Sequence, residues 1–356
     1  MNANYRIANI PGDGIGPEVV RVARTVTDLV ARQEGFSVSW QDLDWGSDFY
    51  RKHGVMMPDS GIAELAESDA IFFGAVGDPG ISDVVTLWGL LIPIRRAFDQ
   101  YVNLRPVRHV PGLRSPLVAP EGIDLMIVRE NSEGEYSELG GRFGRGTAGE
   151  FASQEAVFTR TGVTRIAEYA AELAAARSGR VTSVTKSNGI IHSMTFWDEI
   201  VDEVAARHED LSWRSVLVDA MAAELILKPQ RHDVVLCSNL FGDILSDLAS
   251  ATIGSLGLAA SGNINPDRSA PSMFESVHGS APDIAGQGIA NPLAQVGSAA
   301  MMLEHLGEAR AAQRVIAAID GVLGAGEVTP DLGGSLRTGE VEERLVAQLE
   351  ASVSGS

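Results

Sequence analysis

Two aspartates four residues apart, Asp243 and Asp247, lie in the segment SNLFGDILSDLAS at 238–250. Phe241, Ile244, Leu245 and Leu248 recur there at helical spacing, which predicts an amphipathic helix with both carboxylates on one face. Like charges at that spacing repel, and a carboxylate bordering an apolar face is disfavoured unless it is paired. A hard divalent cation, Mg²⁺ or Mn²⁺, removes both penalties by taking one or two carboxylates together with substrate oxygens. A solvated acidic face is the plainer alternative. Arg95, Arg105 and Arg129 stand beside apolar residues, and Arg95 and Arg105 are ten apart, close to three helical turns. A guanidinium matches a carboxylate through two parallel donors, so the three arginines suit a small dicarboxylate; ordinary surface salt bridges would need no ligand. Tyr136 can donate a proton, and Lys186 at a strand end can act as a base if crowding lowers its pKa. A hydrogen-bonded aromatic and a solvated lysine are the corresponding plain readings.

Composition limits what such groups could serve. The chain has 356 residues, enough for about two domains, with 45% hydrophobic and 21% charged residues, as in soluble globular proteins. A net charge of -19 argues against nucleic acid or an anionic membrane as partner, and obliges an anionic substrate to meet local basic residues. One cysteine, Cys237 in the apolar run VVLC, excludes an internal disulfide and suggests a reducing compartment, the cytoplasm. The N-terminal residues show no basic leader before an apolar run, and no stretch of about 18 apolar residues exists to span a membrane.

The elements that must position these residues alternate. YRIANI (5–10), VSWQDLD (38–44), AIFFGAV (70–76), VTSVTK (181–186), SWRSVLVDAM (212–221) and HDVVLC (232–237) read as strands, with Asp219 at the end of one of them, and DLMIVRENSEGEYS (124–137) reads as a strand leaving through a polar loop. Helical segments between them, such as the alanine-rich 161–177, predict a mostly parallel, doubly covered sheet. The turn PGDGIGPE offers G-x-G-x-G rather than the dinucleotide pattern G-x-G-x-x-G, so a Rossmann fold is rejected; a tight turn and a ligand approach both remain open. GGRFGRGTAGE (140–150) reads as a mobile or protruding loop, and 275–292 as an extended glycine-rich loop in which Asp283 could bind a ribose diol. The tail from 293 to 350 reads as two helices around a GVLGAG break.

Taken together, IPGDGIGPE (10–18), NLRP (103–106), VRENSEGEY (128–136), TKSN (185–188), VDAM (218–221), SNLFGDILSD (238–247) and HGSAPDIAG (278–286) resemble the isocitrate and 3-isopropylmalate dehydrogenase family of decarboxylating hydroxyacid dehydrogenases. TLWG (86–89), FDQYVNLRPVR (98–108) and RENSEGEYS are most similar to its tartrate and D-malate branch. The resemblance implies an isopropylmalate-dehydrogenase-like fold of two interleaved α/β domains. Residues 1–100 and 255–356 would form a cofactor-binding domain, and 101–254 a dimerisation and metal/substrate domain, with the active site in the cleft between them. It implies a homodimer with shared sites, in which Asp243 and Asp247 meet Asp219 of the partner subunit at the metal. Lys186, also given across the interface, would take the hydroxyl proton, and Tyr136 would protonate the enolate. Arg95, Arg105 and Arg129 would clamp carboxylates, with Trp88, Leu91 and Ile92 beside the substrate. Asn188, Glu275, His278, Gly279, Ser280, Ala281, Asp283, Ile284 and Asn291 would hold the cofactor. An acid at Asp283 favours NAD over NADP, and K⁺ is a further candidate cation.

The sequence also departs from that family. Ser276 stands where proline is usual, and Gln295-Val296-Gly297 replaces a bulkier run, which bears on cofactor affinity. Trp88 and Gly189 replace the glutamate and valine of isopropylmalate enzymes. The presence of Arg95 tilts the expectation from tartrate towards malate. Use of 3-isopropylmalate is the alternative. A regulatory subunit without catalysis would have lost some of Tyr136, Lys186 and the three aspartates, and none is lost.

Overall fold

The computed structural model describes residues 3–354. Its strands, in chain order, are β1 (Asn4–Gly12), β2 (Ser37–Asp42), β3 (Ala70–Ala75), β4 (Val102–Arg108), β5 (Asp124–Glu130), β6 (Gly140–Phe143), β7 (Phe151–Gln154), β8 (Arg180–Thr185), β9 (Ser212–Leu217), β10 (Val234–Cys237), β11 (Ala260–Ile264) and β12 (Ser272–Ser276). The chain divides into two compact units. The first takes the chain as far as Gln100, returns for Arg108–Glu121 and resumes at Ser250; the second comprises Tyr101–Val107 and Gly122–Ala249. The segments 108–121 and 250–254, expected in the second domain, therefore belong to the first unit.

In the first unit the strand order is β2-β1-β3-β12-β11, parallel except where β11 meets β12. Every residue of β3, AIFFGA, is buried, as expected of a central parallel strand covered on both faces. Leu91, Ile94 and Phe98 pack into its core with Ile71 and Phe73. The turn after β1 is a backbone-packing feature: Ile15 N–H donates to the Ser280 carbonyl at 2.8 Å. Gly14 there has φ +57°, and a Cβ on it would sit 2.0 Å from that same oxygen. The tail forms three helices, Leu293–His305, Ala309–Gly324 and Thr338–Ser354, not two. The first glycine of GVLGAG lies inside a helix, and the real breaks fall at Gly307 and between 325 and 337.

In the second unit the order is β4-β5-β10-β8-β9, and the β5–β10, β10–β8 and β8–β9 pairs are parallel. The glycine-rich 140–150 is not a plain loop. β6 and β7 pair antiparallel as a hairpin, and Phe143 stacks on Phe151 at 4.9 Å. No helix among the described residues is long and apolar enough to cross a membrane.

Candidate active site

The second unit assembles one dense polar cluster. β5 delivers Arg129 and β4 delivers Arg105; β10 ends at Cys237 and feeds the Asn239–Thr252 helix that carries Asp243 and Asp247. That helix buries Phe241, Leu245 and Ala249. Ile244, expected on the apolar face, is 55% exposed, so the buried stripe is narrower than the periodicity suggests. A Cβ at Gly242 would lie 2.6 Å from Arg129 Cβ, so only glycine lets the arginine lie this close along the helix. Arg95, by contrast, lies in the Ile92–Ala97 helix and Arg105 in β4, so their ten-residue spacing is not three turns of one helix.

Arg129 is 3% exposed. Its Nη1 pairs with Asp243 Oδ1, while Nε and Nη2 donate to Asn239 Oδ1 at 3.0 and 2.7 Å. Arg105 is also buried; it donates to Asn103 Oδ1 at 2.8 Å and Ser246 Oγ at 2.5 Å, and approaches Asp243 and Asp247 at 3.4 and 3.5 Å. Tyr136 Oη donates to Asp243 Oδ2 at 3.0 Å, with the Arg129 guanidinium 5.6 Å from its ring centre. Burial and the Asp243 carboxylate raise the phenol above its ordinary value, so it is a protonated donor near neutral pH. Burial likewise raises Asp247, Arg105 opposing and Asp243 adding to the shift.

Lys186 and Asp219 form a separate pair, Nζ to Oδ1 at 2.6 Å. The hydrogen bond from Lys186 holds the Asp219 carboxyl below its ordinary range. Asp219 stands in the first turn of the Val218–Leu227 helix rather than at the end of a strand, because β9 stops at Leu217. Among the described residues, no group of three or more His, Cys, Asp or Glu could hold a metal ion. Asp243 and Asp247 supply hard oxygen donors on one helix face, which suits Mg²⁺ or Mn²⁺ as part of a site.

The first unit holds the remaining candidates except Asn188, an exposed residue of the second unit. Arg95 pairs with the buried Glu275 at 2.7 Å, and Asn263 donates to the same carboxylate oxygen at 2.7 Å. Val76–Pro79 and Gly279–Pro282 line a groove of about 630 Å³. Ser280 is buried beside it, and Ala281 adopts a left-handed φ of +39°. Burial lowers the His278 pKa, so the ring is neutral; its Nδ1–H donates to Gly279 O at 3.0 Å, and its Nε2 is a buried acceptor without a partner that a ligand hydroxyl could satisfy. Asp283 is exposed and Ile284 half-buried. Asn291 donates to Asp331 at 3.0 Å, and its side-chain oxygen accepts from Leu293 N–H at 3.0 Å. Leu91 belongs to the core, whereas Trp88 and Ile92 are only partly buried. Trp88 is held by the Arg96 guanidinium, 5.0 Å from its ring centre.

Asn103, Asn239, Ser246 and Glu135 are cluster members that sequence reasoning missed. Asn239, Asp243 and Asp247 are each four apart, so a polar stripe down one helical face was there to be read.

The chain is thus a mostly parallel α/β fold in two interleaved units, with buried arginines gripping helix-borne aspartates beside a phenol. The isocitrate/isopropylmalate dehydrogenase family model matches residues 6–345, and the chain belongs to that family of decarboxylating dehydrogenases. It is 51% identical over 352 residues to a probable tartrate dehydrogenase/decarboxylase of Agrobacterium vitis, covering 98% of each chain. It is 48% identical over 355 residues to the D-malate dehydrogenase (decarboxylating) of Escherichia coli strain K12, covering 97% of this chain and 98% of that one. The crystal structure of isocitrate dehydrogenase from Methylococcus capsulatus superposes with a TM-score of 0.88 at 37% identity, over 97% of this chain and 99% of the other.

Proposed function

We propose that the protein catalyses the NAD-dependent, divalent-metal-dependent oxidative decarboxylation of a small 2-hydroxy dicarboxylate, D-malate or tartrate. The observation that carries this is the phenol of Tyr136 hydrogen-bonded to Asp243, which Arg129 and Arg105 also grip. Two buried arginines provide fixed positive charge for substrate carboxylates. Bound NAD⁺ would supply the two-electron oxidation by accepting hydride from the carbon that bears the hydroxyl, and Lys186 takes the hydroxyl proton. The keto acid then loses carbon dioxide, and Tyr136 returns a proton to the carbon that lost it. The raised phenol pKa fits a donor that stays protonated until that last step. Bound Mg²⁺ or Mn²⁺, held by Asp243 and Asp247, would lower the pKa of the substrate hydroxyl and offset the negative charge that develops on that same oxygen as carbon dioxide leaves. NAD would lie on the 278–291 loop, where the unpartnered His278 Nε2 and the exposed Asp283 fit its polar groups.

The site is completed by a second copy of the chain, whose Lys186 and Asp219 join Asp243 and Asp247. Support comes from large apolar side chains left exposed on the second unit, among them Phe143, Phe151, Ile191 and Leu227. A lone buried Cys237 supports a reducing, cytoplasmic setting.

A substrate panel tests the assignment: D-malate, the tartrates and 3-isopropylmalate with NAD⁺ and Mn²⁺, following NADH. The resemblance puts Trp88 beside the substrate in place of the glutamate of isopropylmalate enzymes, so malate or tartrate should show the higher kcat/KM by roughly 10- to 200-fold. Equal or better use of 3-isopropylmalate would overturn the substrate choice, and no NADH with any of them would overturn the function.

A further inference from the structure

We propose that Glu135 is a positioning residue that sets the Tyr136 hydroxyl against Asp243; this rests on the function proposed above. Glu135 directly precedes the phenol in sequence, and its carboxylate reaches the start of the helix that carries both aspartates. Oε1 accepts from Ser238 Oγ at 3.1 Å and Oε2 from Leu240 N–H at 3.0 Å. Leu240 belongs to the first turn, where N–H groups lack an intrahelical partner and the helix dipole favours an anion. Tyr136 Oη meets Asp243 three residues after Leu240, about one turn further along the same helix.

The rest of the loop is tied on its other flank. Gly134 and Val157 exchange backbone hydrogen bonds at 2.7 and 3.1 Å, and Glu155 N–H donates to Leu139 O at 2.8 Å. Glu133 O accepts from Asn239 Nδ2 at 3.0 Å, a single neutral bond. The Glu135 carboxylate is thus the charged, two-point tie between the phenol-bearing loop and the aspartate helix. Without it the loop keeps its anchor to 155–157 and loses its registration on the helix. The Tyr136–Asp243 distance, a hydrogen bond on which proton delivery depends, is what that registration controls.

The test is a double-mutant cycle in the full-length protein with D-malate, NAD⁺ and Mn²⁺. Glu135→Ala should lower kcat roughly 10- to 100-fold, the scale of a small misplacement of a catalytic group, with KM for NAD⁺ unchanged within about twofold. Glu135→Gln keeps one good acceptor and should fall between parent and alanine variant. In a Tyr136→Phe background the same Glu135→Ala change should cost less than about threefold, because the hydroxyl it positions is already gone. Losses that multiply in full in both backgrounds would overturn the proposal and mark Glu135 as a general stabiliser. Native-state amide exchange reads the tie without catalysis: Glu135→Ala should speed exchange at residues 240–243 by about tenfold and leave the Ala309–Gly324 helix unchanged. Unchanged exchange at 240–243 would equally overturn it. A parent protein inert on the whole panel would instead overturn the proposed function, while the exchange result still decides the tie.

Discussion

Glu130, the residue after Arg129, offers a stability test with a defined sign. Its side chain is fully buried, and its oxygens accept from Ser132 Oγ at 2.7 Å, Glu133 N–H at 2.7 Å and Ser132 N–H at 3.1 Å. Those donors favour the carboxylate, whereas burial favours the neutral acid. Burial outweighs them and lifts the pKa from 4.5 to about 7. A raised folded-state value means that the native state holds this proton more tightly than the unfolded chain does. The resulting stabilisation is complete below pH 4.5, fades as pH rises through the window to about 7, and is gone above it. At about 1.4 kcal/mol for each pH unit of that gap, up to about 3 kcal/mol is at stake. Glu130→Gln removes the titration; it also sets an amide NH₂ against a backbone donor, a cost of about 1–3 kcal/mol that does not vary with pH. Urea unfolding of parent and variant at pH 4.5, 5.5, 6.5 and 7.5 isolates the effect. The parent's advantage should shrink steadily by up to about 3 kcal/mol across that series. An advantage that stays flat or widens with pH would show that the hydrogen bonds, not burial, govern this carboxyl.

Asp243→Asn and Asp247→Asn should each cut kcat at least about 10²-fold with the circular dichroism spectrum unchanged, and excess chelator should silence the parent; full activity in chelator would refute a metal role. Lys186→Ala and Asp247→Asn should each be nearly inactive, yet equal amounts refolded together should regain about a quarter of parent activity. Random pairing makes half the dimers mixed, each with one intact site; no recovery despite proven subunit exchange would rule out a shared site. Exchanging Asp283 for Lys together with Ile284 for Tyr should move preference from NAD towards NADP, read as the ratio of kcat/KM values, since a repelling charge becomes an attracting one. A parent that already prefers NADP would refute the assignment of Asp283.

Strands with near-continuous apolar runs, such as AIFFGA and VVLC, were legible because a parallel strand covered on both faces has no polar side to confuse the pattern. The aspartate helix was legible from four-residue spacing. What periodicity could not convey was tertiary pairing. Arg95 and Arg105 look like one face of one helix, yet a helix and a strand carry them. Asp219 looked like a strand end because it follows the apolar run VLV, and only the backbone shows where strand turns to helix. The 140–150 segment is a loop over 144–150, but its first four residues form one arm of a hairpin whose phenylalanines stack. Asn239 and Glu135 went unseen because their partners, Arg129 and Leu240, are defined by packing and not by sequence pattern.

The pairing of Arg105 and Arg129 with Asp243 and Asp247 has a kinetic consequence. Two guanidinium charges against two carboxylates leave that cluster close to electrically neutral, inside a chain of net charge -19. Without bound metal, a free dianion approaching it meets the repulsive far field of a net-acidic chain. Added salt shortens the reach of that field, to about 10 Å at 0.1 M. Association of a dicarboxylate with the metal-free protein should then quicken with ionic strength, the reverse of the behaviour of enzymes that draw anions in electrostatically.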